Sequence, residues 1–418
     1  MSVKVIVGAQ WGDEGKGKMI DYFARNADVV VRFQGGDNIG HTVINSAGTF
    51  KLHIIPCGVF KSNCLCFCGT GMVINPDVLI DELADIESKS VSADNVFISA
   101  KATILMPYHV ELDRLSEGMN AIGRTKRGIG LAYTDRAKRL ALRFEDLFDL
   151  EYCAARLDQI LPNVNAELKN KGAKAFAKAD ILKILGDWAV KLEKRIVEPV
   201  KFINDQIKED KKIVFEGQLG IMMDIDYGSY PFVTASNPTA SYAAVSGGFS
   251  AKKIDKIIGV MKAFSSTTGR WPLITEMTEE ETEKFKKIGP DDESPAPGNN
   301  RSIGWLDLAV VRYAALINGF DELALCHIDK LDHLNEIKVC VGYKLNGKDI
   351  DYMPSIKEQL HAEPIYEVIQ GWMISTKGID KIKDLPVNAR KYIELIEKVV
   401  GVPIKYVGVG PGRSDIAI

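Results

Sequence analysis

A glycine-rich loop near the start of the chain holds the first residues that could do chemistry. Positions 8–19 read GAQWGDEGKGKM and follow a short apolar run. Glycines let the backbone approach a phosphate closely, and the N-terminus of a helix supplies free N–H groups and a positive dipole. Lys16 and Lys18 add two positive charges. The loop therefore predicts a site for nucleotide phosphates, with a solvated glycine turn as the alternative.

The spacing of this loop also bears on metal binding. Gly12 and the pair Gly17-Lys18 are spaced as in a Walker A motif, but Met19 stands where that motif has a Ser or Thr hydroxyl for magnesium. Carboxylate oxygens are hard ligands that suit Mg²⁺. We therefore expect Asp13, inside the loop, to take the place of the missing hydroxyl.

A second glycine cluster, FQGGDNIGHT, occupies positions 33–42 after the next apolar run. It combines flexible backbone with the polar side chains of Asn38, His41 and Thr42. Ligands bind at the carboxyl ends of strands in open α/β sheets. Because histidine suits proton transfer and charge stabilisation near neutral pH, we expect His41 to act in the chemistry rather than in packing.

The segment DKLD at positions 329–332 follows another apolar run. A Lys-x-Asp turn at the end of a strand resembles the guanine-reading turn of GTPases. Guanine presents two N–H donors to a single carboxylate, which adenine does not. With a phosphate loop in the same chain, Lys330 and Asp332 predict a preference for GTP, against the alternative of a surface ion pair.

The elements that must position these residues are predicted from short apolar runs rich in β-branched residues. Eight such runs lie at 3–8, 28–33, 95–100, 212–217, 255–264, 322–327, 337–343 and 404–410. Most are apolar throughout and alternate with helical patterns, as expected of parallel strands buried on both faces. We predict an α/β fold with a large, mainly parallel twisted sheet flanked by helices, a P-loop-like nucleotide site, and one domain spanning 1–418. The charged stretch at about 144–211 shows no convincing strand and is interpreted as a helical insertion.

Composition limits the partners and the compartment. The 418 residues carry a formal net charge of -3, which gives no sign of a nucleic-acid partner. The chain begins without the pattern of a signal peptide, and its apolar runs fall short of a membrane span. The seven scattered cysteines fit a reducing cytosol, so a cytoplasmic protein is expected. Cys64, Cys66 and Cys68 alternate, which predicts one buried face of a strand rather than a metal site.

Seven segments, in order along nearly the whole chain, resemble the adenylosuccinate synthetase family. They are GAQWGDEGKGK (8–18), VVRFQGGDNIGHT (30–42), RGIGLAYTDRAKR (127–139), FEGQLGIMMDIDYGSYPFVTASN (215–237), GWLDLAVVR (304–312), KLDHLNEIKVCVGY (330–343) and VGVGPGR (407–413). The resemblance implies a homodimeric enzyme that uses Mg²⁺, GTP, IMP and L-aspartate. A carboxylate removes the N1 proton of IMP, the 6-oxygen takes the γ-phosphate of GTP, and the amino group of aspartate then displaces phosphate.

The same resemblance implies roles for individual residues. Asp13 is the base, His41 stabilises charge at the β–γ bridge, and Asp13 and the Gly40 carbonyl bind the metal. The implied contacts of GTP are Gly12, Glu14, Gly15, Lys16, Gly17, Lys18, Gly40, Thr42, Arg301, Lys330, Asp332, Gly408, Val409 and Gly410. Those of IMP are Asp13, Asn38, Thr125, Arg139 from the neighbouring subunit, Leu219 and Thr234. Aspartate would be bound by Asn299 and Arg301.

The chain departs from the family pattern around the acceptor and the amino acid. In EGQLG (216–220), Leu219 stands in the place of a base-reading glutamine, and Gln218 is one position early and expected to point the other way. PGNNRS (297–302), GRTKRG (123–128) and SSTTG (265–269) also differ, and two of these three have lost arginines. Nearby Arg270, Arg124 or Lys126 could take over. IMP–aspartate ligation is therefore the leading interpretation, and the alternatives are a paralogue with another acceptor or amino donor and a GTP-binding pseudo-enzyme.

Overall fold

The computed structural model describes residues 2–38, 40–45, 48–116, 126–268, 273–286 and 301–418, with backbone alone at 41–45, 48–49 and 268. The strands are β1 (Ser2–Gly8), β2 (Val29–Arg32), β3 (His41–Asn45), β4 (Gly48–Leu52), β5 (Leu65–Cys68), β6 (Val73–Ile74), β7 (Val96–Ser99), β8 (Thr103–Ile104), β9 (Ile196–Val197), β10 (Lys212–Gly220), β11 (Lys256–Lys262), β12 (Ser265–Thr268), β13 (Arg301–Gly304), β14 (Leu306–Asp307), β15 (Glu322–Cys326), β16 (Glu336–Leu345), β17 (Lys348–Ile350), β18 (Ala362–Gln370), β19 (Ile404–Gly408) and β20 (Ile416–Ala417). The helices are α1 (Lys16–Ala24), α2 (Pro76–Ser88), α3 (Pro107–Arg114), α4 (Ile129–Lys138), α5 (Leu150–Asn170), α6 (Lys178–Leu192), α7 (Pro199–Lys208), α8 (Ser241–Gly247), α9 (Glu279–Lys286), α10 (Leu308–Asn318), α11 (Ile356–Gln359) and α12 (Val387–Val400).

A ten-stranded sheet forms the centre of the molecule. Its strand order is β20-β19-β15-β11-β1-β10-β2-β5-β7-β9, and every neighbouring pair is parallel except β19 and β20. The prediction of a large, mainly parallel sheet flanked by helices is confirmed. Since β1 lies in the middle, the loop that follows it reaches the sheet edge beside the ends of β10 and β11.

Both faces of the sheet are buried, as the continuous apolar runs predicted. Along β1, Val3, Val5 and Val7 belong to one apolar cluster and Ile6 to the other. Alternate side chains of a strand point to opposite faces, so these residues fill both helix layers. Cys64, Cys66 and Cys68 are all buried in the second cluster, which confirms the strand-packing interpretation. Among the described residues, no group of His, Cys, Asp and Glu could hold a metal ion as a ligand cluster.

Two expectations about the strands were wrong in detail. The run at 337–343 lies in β16, which belongs to a separate four-stranded sheet and pairs antiparallel with β17 and β18. The stretch 144–211 does contain α5, α6 and α7, but it also contributes β9 at the edge of the main sheet. A two-residue strand is too short to give a sequence signal. That 144–211 is an insertion in a single domain stays a prediction. In the part of the chain that the structure describes, no helix is long and apolar enough to cross a membrane.

Candidate functional site

The first glycine loop turns sharply between β1 and α1. Gly12, Asp13 and Gly15 all have positive φ angles, of 106°, 55° and 88°. Gly15 precedes the first turn of α1, where no side chain caps the helix and no acidic residue is present. The backbone N–H groups at this end of α1 are therefore oriented as in an anion site.

Glu14 holds the loop from within. Its side chain is fully buried, and Oε1 accepts hydrogen bonds from the backbone N–H of Gly12, at 2.8 Å, and of Gln10, at 3.2 Å. Its other oxygen forms an ion pair with Lys16, which is also buried. Glu14 therefore shapes the loop and orients Lys16, and its assignment as a GTP contact stays a prediction.

Asp13 lies at the tip of the loop, with nearly half of its side chain exposed (45%). Its Oδ2 accepts from Nη2 of Arg301 at 2.9 Å, and Arg301 also donates from Nη1 to Ser266 Oγ at 3.2 Å. Burial raises the pKa of Asp13, but the positive charges of Lys262, Arg301 and Lys16 outweigh it and leave the pKa below its ordinary value. Asp13 is thus an ionised carboxylate near neutral pH, as a base or metal ligand must be.

Lys18, in the first turn of α1, joins the phosphate loop to the C-terminal segment. Its ammonium group donates to the carbonyl oxygens of Gly410, at 2.6 Å, and Asp415, at 2.7 Å. The backbone N–H of Val409 also donates to the Asp415 carbonyl, at 3.0 Å. The predicted GTP residues Gly408, Val409 and Gly410 are therefore brought beside the N-terminal end of α1.

The predicted guanine reader is a buried carboxylate at the end of β15. Asp332 is 3% exposed, and its Oδ1 accepts from Trp372 Nε1 at 2.7 Å. Thr376 donates to it from the backbone N–H, at 2.7 Å, and from the hydroxyl, at 3.0 Å. These donors reach both oxygens of the carboxylate and fix its orientation. Lys330 in the same turn is also buried.

Three of the predicted acceptor residues, Asn38, Leu219 and Thr234, come from separate segments of the chain. Asn38 follows β2, and its Oδ1 lies 3.4 Å from Nε2 of Gln218 on β10. Leu219 has a left-handed backbone, with φ of 64°, and its Cδ2 lies 3.6 Å from where a Cβ on Gly12 would be. Gln218 and Leu219 thus point to different loops, as their alternation predicted. The Thr234 hydroxyl lies 3.4 Å from that of Ser236.

Arg139 stands apart from this group. It ends α4 in the left-handed conformation, with φ of 64°, and is exposed. Its backbone carbonyl accepts from Arg156 Nη2 at 2.6 Å.

Some of the predicted residues lie outside the described part of the chain, and others are described through their backbone alone. Thr125 and Asn299 lie outside the described residues, as do the substitutes Arg124 and Arg270. His41 and Thr42 are described through their backbone, which pairs with Leu52 and Lys51 in a β3–β4 hairpin. Gly40 is exposed at the start of this hairpin, and a Cβ on it would lie 3.1 Å from His53 Nε2.

Two further residues in the site were missed by sequence reasoning. Lys262 ends β11 and is 3% exposed, and its ammonium group donates to the Ser266 hydroxyl. His327 follows β15 with a left-handed φ of 63°, beside Gly15. Burial, Lys262, Lys18 and other nearby cations lower the pKa of His327 to about 3. The signal that could have found both residues is their place at the carboxyl end of an apolar run, where ligands bind.

Comparisons with known proteins agree along the whole chain. The family model described as adenylosuccinate synthetase matches residues 5–417. "Adenylosuccinate synthetase 1" of Methanosarcina acetivorans is 50% identical and "Adenylosuccinate synthetase" of a Geobacillus species 40% identical, with at least 98% of each chain covered. A fully ligated adenylosuccinate synthetase from Plasmodium falciparum superposes with a TM-score of 0.92 at 33% identity, covering all of both chains. A succinoaminodeoxyadenylate synthetase from cyanophage S-2L, at 17% identity and a TM-score of 0.59, shares the fold.

Proposed function

The chain belongs to the adenylosuccinate synthetase family, and from this premise we propose how its own residues carry out the GTP-dependent ligation of L-aspartate to IMP, which gives adenylosuccinate, GDP and phosphate. The observation that carries the assignment of residues is the loop after β1, which holds Asp13 as an ionised carboxylate between Arg301, Lys262 and Lys16. A pseudo-enzyme that only bound GTP would have no use for an exposed base at this position.

In the first step Asp13 accepts the N1 proton of IMP. The electrons of the N1–H bond move through the ring to the 6-oxygen, which attacks the γ-phosphorus of GTP and releases GDP. Lys16, held by Glu14, and the N–H groups at the start of α1 offset the negative charge on the phosphates. His41 is assigned to the β–γ bridge by family resemblance.

In the second step the amino group of aspartate attacks carbon 6 of the 6-phosphoryl intermediate. The C–N bond forms, the C–O bond breaks, and phosphate leaves with the former 6-oxygen while the amine loses a proton. Arg301 is assigned to pair with a carboxylate of aspartate, since its guanidinium already contacts Asp13 and Ser266 at the site. Asn299 completes this proposed subsite.

The donor atoms of Asp13 and Gly40 suit Mg²⁺, which takes carboxylate and carbonyl oxygens readily. Asp13 is partly exposed and retains an oxygen, Oδ1, beside the one paired with Arg301, while Gly40 is exposed. Bound there, the ion would supply positive charge to the phosphates of GTP.

The choice of GTP is assigned to Asp332, with Lys330 beside it. The guanine ring would donate N1–H and its 2-amino group to a carboxylate that Trp372 and Thr376 already orient. The phosphates would then lie towards Lys18 and the glycines of the first loop. The remaining GTP, IMP and metal contacts follow the family pattern named above.

We also propose a homodimer and a cytoplasmic location. The exposed, left-handed Arg139 supports delivery of its guanidinium to the 5′-phosphate site of a second subunit. The seven cysteines are all free and buried, which fits a compartment that keeps thiols reduced.

Single-turnover release of phosphate tests the proposal. Enzyme in excess would be mixed with GTP and each of IMP, GMP and XMP, with and without aspartate and other amino acids. We expect rapid phosphate release and adenylosuccinate formation only in the mixture that combines GTP with IMP and aspartate. Turnover with another pair, while IMP and aspartate are inert, would favour the paralogue.

A further inference from the structure

The family pattern has a glutamine at position 219, where this chain has Leu219. This chain has its glutamine one residue earlier, and the side chain of Gln218 faces a different part of the proposed acceptor site. Gln218 is 1% exposed and lies against the loop after β2. Its Nε2 donates towards Asn38 Oδ1 and the Gly36 carbonyl, both at 3.4 Å. A Cβ on Gly35 would come within 2.1 Å of Gln218 Oε1, so the loop accommodates this side chain only because position 35 is glycine.

A chain of buried polar groups continues from Gln218 to a second proposed phosphate ligand. The backbone carbonyl of Gln218 accepts from Gln34 Nε2, and Gln34 Oε1 accepts from the Ser236 hydroxyl at 2.8 Å. Ser236 in turn lies 3.4 Å from the Thr234 hydroxyl. Gln34 and Ser236 are almost fully buried. Asn38 and Thr234, which come from distant segments, are therefore both connected to Gln218, Asn38 through its side chain and Thr234 through its backbone carbonyl by way of Gln34 and Ser236.

This network determines which end of the Asn38 amide is available. A carboxamide has an acceptor oxygen and a donor NH₂ group. When Oδ1 of Asn38 accepts from Gln218, the two N–H donors on Nδ2 are left for an anion. Without that contact the Asn38 amide can turn over and present its oxygen to the phosphate. The two groups then repel each other, because both carry full or partial negative charge on their oxygens.

We propose that Gln218 is a positioning residue for the 5′-phosphate of the acceptor nucleotide, and that its side chain acts through Asn38. Its backbone carbonyl, which a change of side chain retains, holds the Gln34–Ser236 link to Thr234. The proposal rests on the assignment of IMP as the acceptor. The side-chain amide of Gln218 thus has a task other than reading the base, which is to orient Asn38 towards the phosphate.

Binding of IMP and of inosine, which lacks the phosphate, distinguishes positioning from direct reading of the base. Gln218→Met keeps the length and volume of the side chain and removes its amide. We expect the dissociation constant of IMP, measured by calorimetry, to rise by on the order of tenfold, the scale of one lost hydrogen bond with some misorientation. The constants of inosine and GTP should stay within about twofold. Gln359→Met, at a buried glutamine whose Nε2 donates to the Pro354 carbonyl outside the site, is the matched control.

A double-mutant cycle, in which the dissociation constant of IMP is measured, distinguishes this positioning role from a general effect on structure. If Gln218 acts through Asn38, the variant Asn38→Ala with Gln218→Met should bind IMP about as weakly as Asn38→Ala alone. Additive losses, equal losses for IMP and inosine, or a single variant that binds IMP as tightly as the wild type would each overturn the proposal. A wild-type enzyme that binds inosine as well as IMP would instead contradict the phosphate-site assignment on which the proposal rests.

Discussion

Asp13 shows how neighbouring charges prepare a single residue for its role. Burial alone would favour the neutral acid, but Lys262, Arg301 and Lys16 reverse that effect and hold the pKa of Asp13 below its ordinary value. The carboxylate therefore stays ionised as the pH falls from 7 towards 5. Any loss of the chemical rate across that range must come from other groups.

Replacement of Asp13 by asparagine keeps the size of the side chain and removes its charge. We expect the single-turnover rate with GTP, IMP and aspartate to fall by about 10²–10⁴, the usual scale for loss of a general base, or further if metal binding is also lost. A variant with near-normal turnover would contradict the assignment of Asp13 as the base.

Asp332 is the second residue whose surroundings prepare it for its task. Asp332→Asn places an NH₂ group against the donors of Trp372 and Thr376 and also removes the charge that guanine would meet. We expect GTP binding to weaken by about 1.5–3 kcal/mol, with the affinity for IMP nearly unchanged. Thr376→Val, which keeps the carboxylate, should cost less. Equal use of ATP and GTP by the wild type would show that Asp332 does not select the base.

At the scale of elements, α1 and the segment after β19 form one unit through Lys18. This lysine is committed to two carbonyl oxygens, and burial lowers its pKa. Its main role is therefore to fix the distance between the phosphate loop and residues 408–410. A Walker A lysine that reached only for phosphates would lack these partners.

Lys18→Met should separate these two parts of the GTP site. We expect the KM for GTP to rise about tenfold, since a charge-assisted hydrogen bond contributes about 1.5–3 kcal/mol. The KM for IMP should stay close to its wild-type value. Lys61→Met, which removes a lysine bond to the Ala27 carbonyl away from the site, is the control. Equal effects of the two substitutions would mean that Lys18 serves stability alone.

At the scale of the whole molecule, the proposed acceptor site combines segments that lie between Asp13 and Thr234 with the exposed Arg139. In a two-fold dimer each Arg139 would lie opposite the phosphate site of the other subunit. The exposed position of Arg139 at the end of α4 supports this arrangement.

Mixing two inactive variants tests whether the site is shared. Arg139→Leu and Lys16→Ala should each lose most activity alone. After exchange of subunits, one of the two sites in each hybrid regains both groups, so activity should recover to at most about half per hybrid dimer. Absence of recovery, with exchange verified by mass or by a fluorescent label, would argue that Arg139 acts within its own subunit.

The sequence by itself determined most strands of the main sheet, and with them the segments to which the site is assigned. Apolar runs predicted seven strands of the main sheet, and the motif residues follow them directly: Asp13 after β1, Asn38 after β2 and Asp332 after β15. The strand assignments succeed because strand burial is a local property of sequence. The family resemblance then supplied the reaction, which composition and spacing could not.

Tertiary structure decided which residues meet. Lys18 is paired with carbonyls almost 400 positions away, Asp332 is oriented by a segment beyond β18, and β16 joins a second sheet. The left-handed turn at Leu219 separates its side chain from that of Gln218, which reaches Asn38 across the site. Such contacts join residues that are far apart in sequence and depend on the order of the strands. The local sequence pattern therefore does not predict them.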